Sequence, residues 1–273
     1  MATKRRLLLT YPNQRWQKDD ANTVWDMNPA TLCLLGTMVT DIVDVKVVDA
    51  QFYNMSQEDF TKEVRNFRPD FVGISVMSSE YREILDIAAE IVKSIDKNII
   101  VLAGGVHVTT SYEYVVNNEN IDYCVRGEGE YVLKNLIKHL IGQDIFPSEG
   151  LIFRKLDTVI VQNRVLAQNL SQLTWPAYDL VDFEAYTKKP ARFGPTGPPL
   201  LPFTRMVTTR GCPFGCSFCQ VESISGKKVR SRRPEDMVDE LVFLKREYGI
   251  RSVLLEDDNL LMAGNKYAQT RFS

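Results

Sequence analysis

The sequence predicts an α/β protein: an N-terminal, doubly wound, parallel five-stranded domain, a linker, and the first βα units of a second domain of partial barrel type. Three observations predict it. Short apolar runs alternate with amphipathic stretches over the first 142 residues, which implies parallel strands joined by helical crossovers. A Pro- and Gly-rich stretch from Pro190 to Pro202 then interrupts the pattern, and the alternation resumes behind it with three cysteines inside eight residues.

Taken in order, Arg6–Thr10 reads as a strand and Asn28–Val39 as a helix with Pro29 near its start. Val43–Val48 is a second strand. Ser56 opens a helix to about Asn66, with Asp59 three residues on in a variant of the capping box. Asp70–Val76 is an apolar run of the kind found in a sheet covered on both faces. Glu80–Ser94 carries apolar residues at helical spacing. Asn98–Ala103 is a fourth strand ending in Gly104-Gly105, Ser111–Asn117 a short helix, and Ile121–Val125 a fifth strand. Gly127-Glu128-Gly129-Glu130 then leads into a helix to about Ile141. This is a flavodoxin- or Rossmann-like pattern over residues 1–142. Ligands of such sheets sit beyond the carboxyl ends of the strands, so the motifs there become candidate contacts: Tyr11, Ser75, Met77, Gly104, Gly105, Val106, Gly127 and Glu128.

Residues 143–203 read as a linker that includes a hairpin, Gly150–Arg154 with Thr158–Gln162. Residues 204–273 open a new domain: a strand at Met206–Thr209, a helix from Pro234 to about Tyr248, and a strand at Arg251–Leu255 closed by Glu256-Asp257-Asp258-Asn259. These 70 residues amount to two βα units, whereas a full (β/α)₈ barrel takes about 250. The chain therefore reads as a truncated piece of a longer protein.

Composition narrows the function. Lys and Arg total 33, and Asp and Glu 35, a net charge of −2. That balance gives no electrostatic reason to expect a nucleic-acid partner. No apolar run approaches the roughly 18 residues of a membrane span, and Leu7-Leu8-Leu9 is too short for a signal peptide. The expected compartment is the cytoplasm. Five cysteines, of which Cys33 and Cys124 stand alone, argue against a disulfide framework.

Cys212, Cys216 and Cys219 form C-x₃-C-x₂-C on one loop, with Gly211 and Gly215 to let it fold tightly. Thiolate is the ligand that iron–sulfur clusters select. Three ligands leave one iron of a cubane without a protein ligand, as a substrate-binding metal centre needs. A zinc site would want a fourth closing ligand, and none lies near in sequence; an incidental cluster of cysteines is the remaining reading. The run Lys227-Lys228-Val229-Arg230-Ser231-Arg232-Arg233 reads as an exposed basic loop rather than a phosphate site.

Thr209 to Cys219, with Phe218 before the last cysteine, resembles the radical S-adenosylmethionine (SAM) signature. Pro69 to Ser75, Ala103 to His107, and Gly127 to Glu130 resemble the cobalamin-binding module found in class B radical SAM enzymes, and the resemblance runs over nearly the whole chain. It implies a [4Fe–4S] cluster on the three cysteines whose open iron chelates SAM, reductive cleavage of SAM to methionine and a 5′-deoxyadenosyl radical, and cobalamin in the first domain. Phe218 and the acidic turn Glu256, Asp257 and Asp258 would meet SAM, the turn replacing the usual Gly-Gly-Glu; a solvated acidic turn is the plainer reading of those three. The implied partners are a small-molecule substrate and an electron donor such as flavodoxin or ferredoxin. The loop after the first strand lacks the D-x-H-x-x-G of classical cobalamin proteins, so cobalt is expected to lack a histidine from it. His107 reads as a cleft or turn residue, and Cys33 and Cys124 as inert core.

Methyl transfer to an unactivated carbon, or ring rearrangement or cyclisation, is the implied chemistry. A radical SAM methylthiotransferase is one alternative, although that family carries three further cluster cysteines in its first domain. A cobalamin carrier or sensor with an incomplete catalytic domain is another. The isolated chain is expected to turn over poorly.

Overall fold

The computed structural model describes residues 4–19, 28–77, 82–188 and 200–260. Strands β1 (Arg6–Tyr11), β2 (Asp44–Asp49), β3 (Phe71–Ser75), β4 (Ile100–Gly104) and β5 (Tyr123–Val125) form a parallel sheet in the order β2-β1-β3-β4-β5. Helices α1 (Ala30–Thr37), α2 (Gln57–Phe67), α3 (Glu83–Ile95), α4 (Val106–Thr110), α5 (Tyr112–Val115) and α6 (Glu130–Leu140) connect and follow them. Because successive side chains on a strand point to opposite faces, the Leu7-Leu8-Leu9 run serves two cores. Leu7 and Leu9 pack with Leu32 of α1 and Leu136 of α6, while Leu8 packs with Phe60 of α2 and Leu85 of α3. The pairing Leu8↔Val72↔Val101 carries the second row across three strands. The capping box is present: Ser56 Oγ accepts from Asp59 N at 3.1 Å, and the Asp59 carboxylate reaches back to Ser56 N–H.

Three sequence expectations change. The sheet has seven strands, because β6 (Leu151–Lys155) and β7 (Thr158–Val161) add an antiparallel hairpin at the β5 edge. Leu151 and Ile152 are fully buried, one in each core, so burial ties the hairpin to the first domain. The helix expected at 111–117 is the shorter α5, and a further helix not expected from the sequence, α4, precedes it directly behind Gly105. The strand expected at Met206–Thr209 is β8 (Phe203–Met206) followed by a separate β9 (Thr209–Arg210); the chain turns at Thr208, whose N–H is drawn to Asp257 at 2.6 Å. Helix α3 is described from Glu83, and Glu80 and Tyr81 lie outside the described residues, as does most of the Pro/Gly-rich stretch.

In the second part, β8 pairs in parallel with β11 (Ser252–Leu255) across α9 (Pro234–Tyr248), and β9 pairs antiparallel with β10 (Arg230–Ser231) behind α8 (Val221–Ser225). Pro234 starts α9 and Gly249, at φ 64°, ends it.

The segment between the hairpin and β8 packs on both parts. Leu170 and Leu173 enter the α1/α6 core, and Tyr178 and Phe183 build a third core with Met206 and Leu244. Tyr178 Oη donates to Glu240 of α9 at 2.5 Å and Trp175 Nε1 to Asp236 at 2.9 Å. Helix α7 (Phe183–Thr187) returns to β2, where the Tyr186 ring stacks on Phe52 at 3.7 Å and its hydroxyl donates to Asp49 at 3.2 Å.

Burial pushes Asp49 up from 3.8 to about 6, against the hydrogen bonds of Phe52 N–H and Tyr186 that pull it down. A raised folded pKa favours the protonated fold, so this group stabilises most at low pH and its contribution is lost as pH rises from about 4 through about 6. Asp49→Asn is expected to flatten the pH dependence of the melting temperature in that window and to raise stability at pH 7.5 by up to ~3 kcal/mol. Thermal melts of both proteins from pH 4 to 8 check this.

Candidate functional site

The cysteine loop is shaped by backbone before any ligand is considered. Gly211 sits at φ 94°, and a Cβ there would come within 2.4 Å of the Lys228 carbonyl oxygen, so the position immediately before Cys212 admits only glycine. Cys212 N donates to Gly226 O at 3.1 Å, which ties the loop to the end of α8, and Cys219 N donates to Cys216 O at 3.0 Å in a tight turn. Cys216 and Cys219 are exposed and Cys212 is half-buried. Phe218 is 87% exposed beside them. Among the described residues no three His, Cys, Asp or Glu side chains converge as ligands of a single ion. The remaining cysteines are of another kind: Cys33 and Cys124 are buried, and burial pushes both thiols up to about 12. They are inert core, as expected.

The acidic turn behind β11 lies against this loop. Asp257 Oδ1 accepts from Thr208 N at 2.6 Å and from Thr209 N at 2.7 Å, and its other oxygen accepts from the Thr208 hydroxyl. Asp258 accepts from Gly211 N at 2.7 Å. Glu256 pairs with Arg205 at 2.8 Å, and Arg205 is buried and also donates to Asn28 O. The turn is thus engaged in holding the cysteine loop, and is not a free solvated one.

Beyond the carboxyl ends of β1, β3, β4 and β5 lies a cavity of about 250 Å³. All eight contact residues expected from the sequence, Tyr11, Ser75, Met77, Gly104, Gly105, Val106, Gly127 and Glu128, line it. Its position is the switch point of the sheet, since β2 and β3 flank β1 on opposite sides. The wall is mainly apolar and glycine-rich. A Cβ on Gly104 would make only an ordinary contact, with Val125 at 3.9 Å, so a methyl group is accommodated there. Gly105, at φ 97°, is by contrast required: a Cβ would lie 2.6 Å from Val76 O. No histidine lines the cavity. His107 is buried in α4 beside Tyr114, and burial depresses its pKa.

The far wall comes from the second domain: Val207, Arg210, Ile224 and Ser225. Here the basic run departs from expectation. Lys227, Lys228 and Arg233 are exposed, but Arg230 is buried and forms a bidentate pair with Glu128 at 2.6 and 2.8 Å, while Arg232 is buried against Asp236 and Glu240. Glu128 also accepts from Ala167 N at 2.6 Å, so its carboxylate faces its partners although the residue lines the cavity. Arg210, two residues before Cys212, pairs with Glu130 at 2.7 Å and lies 3.5 Å from Glu128. Burial, the largest influence, would raise the Glu130 carboxyl, but the Arg210 charge and hydrogen bond, a backbone hydrogen bond and the Arg230 charge together outweigh it and hold the group below the ordinary range. The arrangement sets a loop of three thiols near a mainly apolar cradle, with four paired charges, Glu128, Glu130, Arg210 and Arg230, where the two parts meet.

Comparison with known proteins agrees with this division. Residues 21–137 match the B12 binding domain model and residues 206–269 match the Radical SAM superfamily model. The chain is a B12-binding-domain radical SAM protein. Its relatives in this family are methyltransferase- and cyclase-like. An uncharacterized methyltransferase of Pyrococcus horikoshii is 33% identical over 237 residues, covering 86% of this chain and 49% of that protein. An anaerobic magnesium-protoporphyrin IX monomethyl ester cyclase of Rubrivivax gelatinosus is 25% identical, covering 97% of this chain and 47% of its own. The structure of the radical SAM methyltransferase TsrM from Kitasatospora setae with cobalamin and [4Fe-4S] cluster bound superposes with a TM-score of 0.67 at 21% identity, over 96% of this chain and 49% of that one. The chain spans about half the length of the curated relatives it matches.

Sequence reasoning missed the residues that join the cavity of this radical SAM protein to its cysteine loop: Glu130, Arg210 and Arg230. The available signal was charge complementarity between Gly127-Glu128-Gly129-Glu130 and the basic run, about 100 residues apart. Arg230→Ala is expected to cost about 3 kcal/mol by taking from the buried Glu128 its bidentate partner and leaving it the longer Arg210 contact. The double variant with Glu128→Leu should lose less than the sum of the two single losses, which a double-mutant cycle by urea denaturation measures.

Proposed function

We propose that the chain is the cofactor-binding portion of a cobalamin-dependent radical SAM enzyme that transfers a methyl group or closes or rearranges a ring on a small molecule. The observation that carries this reading is the pairing of a three-thiolate loop with a glycine-walled cavity across one shared wall. When bound, the cluster would supply the electron for reductive cleavage of SAM and cobalamin would supply a methyl carrier. Cys212, Cys216 and Cys219 hold iron, and the acidic turn keeps the first of them in place through the loop backbone. Phe218 and the Glu256–Asp258 turn lie on the side where SAM would meet the cluster, and a carboxylate of that turn would face its ammonium. Gly104 and Gly105 let the backbone approach a large flat ligand, and Tyr11, Ser75 and Met77 border the same space. The loop behind β1 carries no histidine, so cobalt would take no imidazole from it.

The methylthiotransferase alternative is disfavoured by the first domain's two cysteines, both buried in core. The carrier alternative separates from the enzyme reading by the cluster, which a carrier does not need. Substrate and electron donor would engage the part of the protein that its longer relatives add.

Anaerobic reconstitution with iron, sulfide and hydroxocobalamin tests the reading. About four irons per chain, lost in the triple Cys→Ala variant, and stoichiometric cobalt with a corrin spectrum are the expected result. Gly104→Val should fold, because its Cβ meets nothing nearer than Val125 at 3.9 Å, and should lose cobalt at least tenfold while keeping iron. Cobalt retained by that variant would place the corrinoid elsewhere.

A further inference from the structure

The turn behind β11 and the cysteine loop run side by side in register. Glu256 takes Arg205, Asp257 takes Thr208 and Thr209, Asp258 takes Gly211, and Asn259 takes Cys212. In the first three positions a carboxylate accepts from a positive group or an N–H. At the fourth the partner is a sulfur atom, and there the side chain changes to a carboxamide that carries a donor. Asn259 Nδ2 lies 3.9 Å from Cys212 Sγ. Asn259 is half-buried, as is Cys212, so water competes only partly for either group.

We propose that Asn259 is a positioning and tuning residue of the iron–sulfur centre: its amide N–H donates to the Cys212 sulfur and raises the reduction potential of the cluster. The inference rests on the cluster reading of the three cysteines. In the structure Cys212 Sγ is a free thiol that stands in for a cluster-bound thiolate. A thiolate carries negative charge, and a donor to an ionised acceptor gives a shorter and stronger bond than one to a neutral acceptor. Reduction adds negative charge to the cluster, so a fixed N–H dipole aimed at one of its sulfurs stabilises the reduced state more than the oxidised one. Hydrogen bonds to the sulfurs are among the levers that set such potentials. Asp258 on Gly211 and Asp257 on Thr208 and Thr209 fix the spacing at which the amide meets the sulfur.

The test is a redox titration of the reconstituted chain, followed by electron paramagnetic resonance, on the unsubstituted protein and on Asn259→Ala, Asn259→Asp and Asn259→Gln. Iron content and melting temperature are taken on each. Asn259→Ala is expected to keep its iron and to hold about tenfold less reduced cluster at a fixed poise, ~59 mV for a one-electron couple. Asn259→Asp, which has the same shape but no donor when ionised, should shift further in the same direction and carries the test if the alanine variant does not fold. Asn259→Gln should recover most of the difference. Equal potentials in all four proteins, or an equal fall in all three variants, overturns the inference while leaving the cluster reading intact. Failure of the unsubstituted protein to take up iron overturns both.

Discussion

Two buried ion pairs, Glu128 with Arg230 and Glu130 with Arg210, are the constraint on which the arrangement of this protein depends. Each joins the strand-to-helix turn behind β5 to the loops around the cysteines. Charges this deeply buried are costly to desolvate, and that cost is repaid only when the geometry is good and the remaining polar atoms are satisfied. The geometry here is bidentate for Arg230, with the carbonyls of Ala167 and Ser225 each taking one further hydrogen from its two terminal nitrogens, while Arg230 Nε and Glu130 Oε2 have no partner among the described residues. Such a pair contributes modestly to net stability but penalises any displacement strongly, since moving one domain against the other leaves a charge unpaired in a low-dielectric wall. The pairs therefore act on position more than on stability. They set where the cysteine loop stands relative to the cavity.

A second layer of constraint works on a shorter scale. Asp257 and Asp258 bind backbone N–H groups of the loop, and Asp257 also takes the Thr208 hydroxyl, so the loop conformation is held mainly through its backbone and makes no side-chain demand at Thr209. The φ of 94° at Gly211 completes the turn. The acidic motif behind β11 and the cysteine motif behind β8 are adjacent because β8 and β11 are neighbours in register, with Leu255 opposite Met206. Two motifs about 45 residues apart in sequence meet because parallel pairing brings the carboxyl ends of both strands to the same edge.

Much of this was legible in the sequence, and the reasons are local. Period-two and helical patterns place β1 to β5 and α1, α2, α3, α6 and α9 close to their observed positions. The cavity residues were legible because glycines and polar residues at strand ends have few other reasons to be there. What was not legible depends on long-range partners. Arg230 and Arg232 look like surface charge in a window of seven residues, and only Glu128 and Glu240 make them interior groups. The hairpin looks like linker because its place at the β5 edge follows from the pairing Cys124↔Ile152, which no local pattern encodes. Met206–Thr209 looks like one strand because its apolar run continues, but Asp257 draws the Thr208 N–H out of any ladder.

The cavity and the cysteine loop share a border at Arg210, which lines the one and leads into the other. The cavity needs glycine and apolar surface so that a large ligand can approach the backbone of the sheet. The loop needs exposed thiolates and a rigid backbone. A wall of unpaired charges would disturb both, attracting water into the cradle and shifting the potential of a centre beside it. Paired charges avoid this while remaining directional: Arg210 belongs to the strand that leads to Cys212, and Glu130 belongs to the helix whose first turn borders the cavity. A rigid-body displacement of α6 by a ligand would therefore be transmitted to Arg210 through a single charge-assisted contact of 2.7 Å. That contact and its neighbour Glu128–Arg230 thus add a directional tie between the cavity wall and the cysteine loop to the apolar packing around them.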